Sequence, residues 1–222
     1  MIKAILVDVD NTILDFDACS TWAIEQVCSR HGIQMTDKMI QTFHRINNAL
    51  WHDLELGKIE KQDIFERRWK CILRELCINF DGELFEKEFV DAIHISHIPT
   101  KNAYDMLEYL QTKYDLYVIS NAPYNQQMNR LHKADMMKYF KDVFTSERVG
   151  CEKPSVKFFQ YCLKKIELQA EQCIVLGDSI HADIQGAMES NIKSIWYNPH
   201  RVSCKVDIDS MIYDLIEVKG VI

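Results

Sequence analysis

The sequence predicts an α/β protein: a doubly wound parallel sheet with one inserted α-helical subdomain. Three observations carry that expectation. Ala4-Ile5-Leu6-Val7 is a short, branched, apolar run, as in a strand buried on both faces. From residue 100 onward, short apolar runs alternate with segments of helical period, the pattern of parallel βαβ units. Between them, residues 16–97 show helical spacing and no strand alternation. The expected division is 1–15 with 98–222 as the α/β core and 16–97 as the helical insert.

The elements follow in order. After the first strand, Phe16 to Arg30 reads as a helix, closed by Gly32 just beyond its end. Thr36 to Leu56 is a second, with Met39, Phe43, Ile46, Leu50 and Leu54 at helical spacing and Gly57 after it. Glu60 to Leu76 and Gly82 to Ile93 complete the insert, and His97-Ile98-Pro99-Thr100 punctuates its end. Helices are then expected over Thr100–Lys113, Pro123–Ala134, Pro154–Ile166 and Ala182–Ser190. Strands are expected over Leu116–Ile119, Asp142–Thr145, Cys173–Leu176 and Lys193–Trp196. In the tail, Val206 to Ile222, the residues Ile208, Met211, Ile212 and Leu215 suggest an amphipathic turn or two before a terminal strand.

Composition narrows the function classes. A chain of 222 residues with 47% hydrophobic content can bury a sizeable core. A net charge of −7 argues against a nucleic-acid polymer or a membrane as partner. No signal peptide or bilayer-length apolar run is apparent, so a cytoplasmic location is expected. The eight cysteines form no C-x-x-C pair and lie in amphipathic patterns, which suits reduced thiols better than disulfides or zinc.

Ligands of an open α/β sheet bind beyond the carboxyl ends of its strands, so the residues that follow each strand matter most. The first strand leads into Asp8 and Asp10. Residues i and i+2 of an extended chain point the same way, so these two acids would share a face. Such a pair repels itself unless a cation compensates, and hard oxygen ligands suit Mg2+. An acidic turn without a metal fits the same two residues. Ser120 and Asn121 follow the second strand of the core, and Gly177-Asp178-Ser179, with Asp183 one turn on, follow a later one. Lys153 precedes Pro154 at a helix start, from which it could reach back to the sheet edge. Singly, each has an architectural alternative. Ser120 could cap a helix, Lys153 could be an ordinary surface lysine, Asp178 could close a turn, and Asp183 could complement a helix dipole. Together, these acids, a hydroxyl and a cation fall at one edge.

This set resembles the four motifs of the haloacid dehalogenase superfamily of phosphatases, with its Rossmann-like core. The first is similar to Asp8-Val9-Asp10-Asn11-Thr12, the second to Ser120, the third to Lys153-Pro154 and the fourth to Gly177-Asp178-Ser179 with Asp183. The helical insert resembles that superfamily's type-one cap. The resemblance implies Asp8 as nucleophile, forming an aspartyl-phosphate, and Asp10 as acid and then base. It implies Mg2+ held by Asp8, Asp178 and the main-chain carbonyl of Asp10. Ser120 and Asn121 would bind phosphate, Lys153 would balance charge, and Asp183 would stand behind the ligands or contact a metal-bound water. Asn11 stands where glycine is commoner in that motif.

In the second helix of the insert, Asn47 and Trp51 lie four apart and share a face. Tryptophan can stack on a base and an amide can read its edge, although Trp51 packed inside the insert fits the spacing as well. Asn47-Asn48-Ala49-Leu50-Trp51, Glu55-Leu56-Gly57-Lys58-Ile59 and Arg67-Arg68-Trp69 resemble the bacterial pyrimidine 5′-nucleotidase branch. That resemblance implies a nucleoside monophosphate as the small phosphorylated substrate of a monomer or homodimer. Phe16 is a further candidate at the pocket or the hinge. A phosphatase of sugar phosphates or phosphoglycolate, or a phosphomutase, would carry the same motifs. A silent binding module would keep the fold without turnover. A dehalogenase is disfavoured, because it needs neither the metal nor the acid at Asp10.

Overall fold

In the computed structural model, which describes residues 1–206 and 208–222, β1 (Ala4–Asp8) is buried at every position. Four helices follow: α1 (Phe16–His31), α2 (Asp37–Glu55), α3 (Lys61–Glu75) and α4 (Gly82–Ile95). The chain then alternates through α5 (Ala103–Gln111), β2 (Asp115–Ser120), α6 (Tyr124–Lys133), β3 (Phe140–Thr145), α7 (Ser146–Val149), α8 (Val156–Ile166) and β4 (Cys173–Gly177). It closes with α9 (Gly186–Glu189), β5 (Lys193–Tyr197) and β6 (Ser210–Ile212). Two compact units result: Met1–Asp15 with His97–Ile222, and Phe16–Ser96.

In the α/β unit the strands pair in the order β3-β2-β1-β4-β5-β6, all parallel. The chain builds outward from β1 through β2 to β3, then returns to lay β4 on the other side of β1. That reversal makes the carboxyl ends of β1 and β4 the switch point, where sheets of this kind place their ligands. Both faces of the sheet are covered, and the pleat divides β1 between them. Ile5 and Val7 join one core cluster with Met106, Leu107 and Leu110 of α5. Ala4 and Leu6 join the other with Phe158, Phe159 and Cys162 of α8. The continuous apolar run of β1 is the sequence form of this two-sided burial.

The helical unit has its own core, centred on Trp69. The Trp69 ring stacks on Phe85 at 3.8 Å and lies 5.7 Å from Phe43 and 5.5 Å from Phe89. Thr36 caps α2 by accepting from the Met39 amide at 3.2 Å, and Asp81 caps α4 by accepting from Glu83 and Leu84. Arg68 is buried in this unit. It is paired with Glu86 through two hydrogen bonds of 2.5 and 3.2 Å and donates to Asn47 at 2.8 Å.

The tail differs from expectation, which placed an amphipathic turn before a terminal strand. The strand comes first: β6 pairs with β5, burying Ile212 and leaving Met211 exposed. A 3-10 helix over Leu215–Gly220 then buries Leu215 and Val218, three residues apart as that tighter helix requires. The part of that expectation that falls on Asp207 lies outside the described residues. The cysteines are free thiols, with Cys19, Cys28, Cys162 and Cys173 buried. Among the described residues no helix is long and apolar enough to cross a membrane.

Candidate active site

The site is assembled at the reversal of strand order. β1 delivers Asp8, and the chain then turns tightly. The Val9 carbonyl accepts from the amides of Ile13 and Leu14, each at 2.9 Å, and Asn11 sits at φ +59°. Asparagine tolerates this left-handed conformation better than residues other than glycine, which explains how it stands where glycine is commoner. The turn returns Thr12 to the strand end, where its hydroxyl donates to Asp8 Oδ2 at 3.1 Å.

Lys153 is buried, and its ammonium donates to Asp8 Oδ1 at 2.7 Å and Asp183 Oδ1 at 2.6 Å. Its main chain is clamped by one side chain. Asn121 Oδ1 accepts from the Lys153 amide at 2.8 Å, and Asn121 Nδ2 donates to the Lys153 carbonyl at 2.9 Å. Both polar atoms of the Asn121 side chain are thus engaged with Lys153, which leaves its main-chain amide as the group that could meet a phosphate. A polar residue immediately after a strand gives no sign in sequence of which partner it will choose.

β4 ends at Gly177, where a Cβ would collide with the Asp183 carboxylate; only glycine lets that side chain lie so close to the strand. Asp178 follows, its main-chain carbonyl accepting from the Trp196 indole of β5 at 2.8 Å. Asp183 then arrives on a π-helical turn spanning Ile180–Gln185, with the amides of Asp183 and Ile184 both bonded to the Ser179 carbonyl. Its second oxygen accepts from the Ser179 amide at 3.1 Å.

Oxygen atoms of Asp8, Asp178 and Asp183 lie within 4.8 Å of one another. Burial pushes the Asp8 carboxyl up to about 7 against the pull of Lys153, with Asp183 and Asp10 adding to the rise. Burial and the carboxylates of Asp8 and Asp183 push Asp178 well above the usual carboxylate range. Burial disfavours the Lys153 ammonium, but Asp183 and Asp8 outweigh it and hold it above its ordinary value. Three carboxylates facing one ammonium leave two negative charges over. A divalent cation with hard oxygen ligands fits both that charge and that donor set. Asp183 lies close to the two expected carboxylate ligands, but its Oδ1 accepts from Lys153 and its Oδ2 from the Ser179 amide. The Asp10 side chain points elsewhere, and the expected grouping called only on its main-chain carbonyl.

The Asp10 carboxylate is held separately. Arg130 donates to Oδ1 at 2.5 Å and Gln127 donates to Oδ2 at 2.6 Å. Ser120 Oγ accepts from Gln127 at 2.9 Å and from the Ala122 amide at 3.1 Å. Gln127, Arg130 and Trp196 are the residues that sequence reasoning missed. The available signal was polarity on the buried stripe of α6, where Gln127 and Arg130 alternate with Leu131 and Ala134.

The remaining candidates lie in the helical unit. Asn47 is 3% exposed and accepts from Arg68, which places it inside the unit rather than at a base edge. Trp51 is half-buried, and the unit's aromatic core is built on Trp69 instead. Phe16 packs against that core as the first residue of α1. A cavity of about 530 Å3 opens at the opposite edge of the sheet in the α/β unit, beside Ile2, Tyr114 and Lys193. It is remote from the carboxylates.

Residues 5–197 match the family model described as haloacid dehalogenase-like hydrolase. The chain belongs to this family. Among its members, the chain is 32% identical to the HAD-hydrolase YfnB of Bacillus subtilis over 89% of its own length and 84% of YfnB. It is 33% identical to the pyrimidine 5′-nucleotidase PynA of Streptococcus pneumoniae, covering 90% of this chain and 85% of PynA. It is 24% identical to the pyrimidine 5′-nucleotidase YjjG of Escherichia coli, over 88% and 86% of the two chains. The crystal structure of YfnB bound to magnesium superposes with a TM-score of 0.93 at 30% identity, covering 99% of this chain and 97% of that one. The α/β fold with its six-stranded parallel sheet is thus that of the haloacid dehalogenase-like hydrolases.

Proposed function

We propose that this hydrolase is a Mg2+-dependent phosphatase of nucleoside monophosphates, pyrimidine nucleotides foremost. The observation that carries the reading is the buried Lys153 ammonium bridging Asp8 and Asp183, with an Asp178 oxygen within 4.8 Å of theirs. The names of PynA and YjjG support the substrate class, and the magnesium in YfnB supports the metal.

Asp8 attacks the phosphorus; its oxygen bonds to phosphorus as the ester P–O bond breaks. Asp10 gives its proton to the departing oxygen, which releases the nucleoside. In the second half, Asp10 takes a proton from a water whose oxygen bonds to phosphorus. The bond from phosphorus to Asp8 breaks, inorganic phosphate leaves, and Asp10 is again protonated. Lys153 stays charged throughout and balances the phosphoryl oxygens, while Ser120 donates to one of them. Mg2+ held by Asp8, Asp178 and the Asp10 carbonyl would supply further charge neutralisation. Asp183 holds Lys153 in place. Choice of nucleoside is assigned to the helical unit, with Trp51 as its aromatic candidate.

The test is phosphate release by the purified chain from UMP, dUMP, TMP, purine monophosphates, sugar phosphates and phosphoglycolate. Pyrimidine nucleotides should give the highest kcat/KM. A maximum on a sugar phosphate would overturn the substrate assignment, and no release from any of them would overturn the activity.

A further inference from the structure

Gln127 and Arg130 lie one turn apart on α6, and both are 0% exposed. Burying an amide and a guanidinium carries a desolvation penalty that two apolar residues at the same positions would avoid. Their recorded partners explain why they are there. Gln127 Nε2 has two hydrogens. One goes to Asp10 Oδ2 at 2.6 Å and the other to Ser120 Oγ at 2.9 Å. Gln127 Oε1 accepts from Arg130 Nη1 at 3.2 Å, and the same nitrogen donates to Asp10 Oδ1 at 2.5 Å. The reverse orientation of the amide would set its oxygen against a carboxylate and its NH2 against a cation, so the network fixes the Gln127 side chain.

Two consequences follow. A hydroxyl has two acceptor positions and one proton. Ser120 Oγ accepts from Gln127 and from the Ala122 amide, so its proton is left to be donated elsewhere. The Asp10 carboxylate is gripped at both oxygens, one by each residue, and all of these groups belong to the α/β unit.

We propose that Gln127 and Arg130 are a positioning pair: together they aim Asp10 at the leaving oxygen and at the attacking water, and Gln127 alone also fixes Ser120 as a donor to the phosphoryl group. This deepens the phosphatase reading and rests on it. The division of labour is specific. Arg130 bonds to Asp10 and to Gln127, whereas Gln127 bonds to Asp10 and also to Ser120. Loss of Arg130 should therefore act on turnover, and loss of Gln127 on both turnover and phosphate binding.

The test compares wild type, Arg130→Met, Arg130→Lys and Gln127→Leu on UMP and on p-nitrophenyl phosphate with Mg2+. Arg130→Met should lower kcat on UMP about 10- to 100-fold while KM stays within about twofold. Gln127→Leu should show a similar fall in kcat together with a severalfold rise in KM, and Arg130→Lys should lie between wild type and Arg130→Met. On p-nitrophenyl phosphate the leaving group needs no proton, but hydrolysis of the aspartyl-phosphate still needs the base. Both Arg130→Met and Gln127→Leu should then release a burst of about one nitrophenol per chain before a slow phase. A merely structural role gives no burst. Should Arg130→Met not fold, Arg130→Lys and Gln127→Asn keep the buried polarity and carry the same readouts. Folded variants with kcat within about twofold of wild type, or with equal losses on both substrates and no burst, would overturn the proposal alone. An inactive wild type would remove it together with the phosphatase reading.

Discussion

Asp8 carries two demands that conflict until a cation arrives. As the proposed nucleophile it must be ionised, yet it is buried beside Asp183 and pushed up to about 7. Lys153 relieves part of that conflict at 2.7 Å. Replacing Asp8 by asparagine should therefore separate activity from stability. Asp8→Asn removes the proposed nucleophile, so turnover should fall at least about a thousandfold. The same change removes one of the crowded carboxylates, so the chelated variant should melt at or above the wild-type Tm. Phosphate release and thermal unfolding on one preparation check both halves. Much of this arrangement was legible in the chain because Asp8, Ser120 and Asp178 each stand at or next to a strand end, where direction and burial follow from the pleat, and Lys153 stands just before a helix start. Asn121 was not, because its choice of the Lys153 backbone depends on a loop 32 residues away.

At the level of elements, the helical unit depends on a buried ion pair as well as on its aromatic core. Arg68 and Glu86 join α3 to α4, with side chains 3% and 8% exposed, and Asn47 links α2 to the same guanidinium. Glu86→Gln leaves that cation without its counter-charge and should destabilise the protein by about 3–5 kcal/mol. The double change Arg68→Met with Glu86→Leu should be markedly milder, since it removes the charge with its partner. Denaturant titration of the three proteins measures the difference. These partners were hidden in the sequence because Arg68 reads as an ordinary charged helix residue. The same holds for Gln127 and Arg130 on α6, where periodicity locates a helix but not which polar residues turn inward. The π-helical turn that brings Asp183 to Lys153 has no sequence signature of its own. The tail was misread because a three-residue strand and a 3-10 helix each offer too few residues for a period to show.

For the whole molecule, the decisive quantity is the charge left over at the switch point of the sheet. A carboxyl raised in the folded state binds its proton more tightly there than in the unfolded chain. Its contribution to stability is present at low pH and is lost as pH rises through about 7. Mg2+ bound at these carboxylates, as proposed, would take the place of the proton and should reverse that trend. The difference in Tm between Mg2+-loaded and chelated protein should thus widen as pH goes from about 5 to about 8. A constant difference would mean that the ion does not compete with protons at these carboxylates. The most direct test is calorimetric titration of Mg2+ into the intact chain at pH 7, repeated in buffers of different ionisation enthalpy, for wild type and Asp178→Asn. One ion per chain should bind with release of protons, and Asp178→Asn should abolish that binding. Binding that is absent from the wild type, or unchanged in Asp178→Asn, would contradict the site.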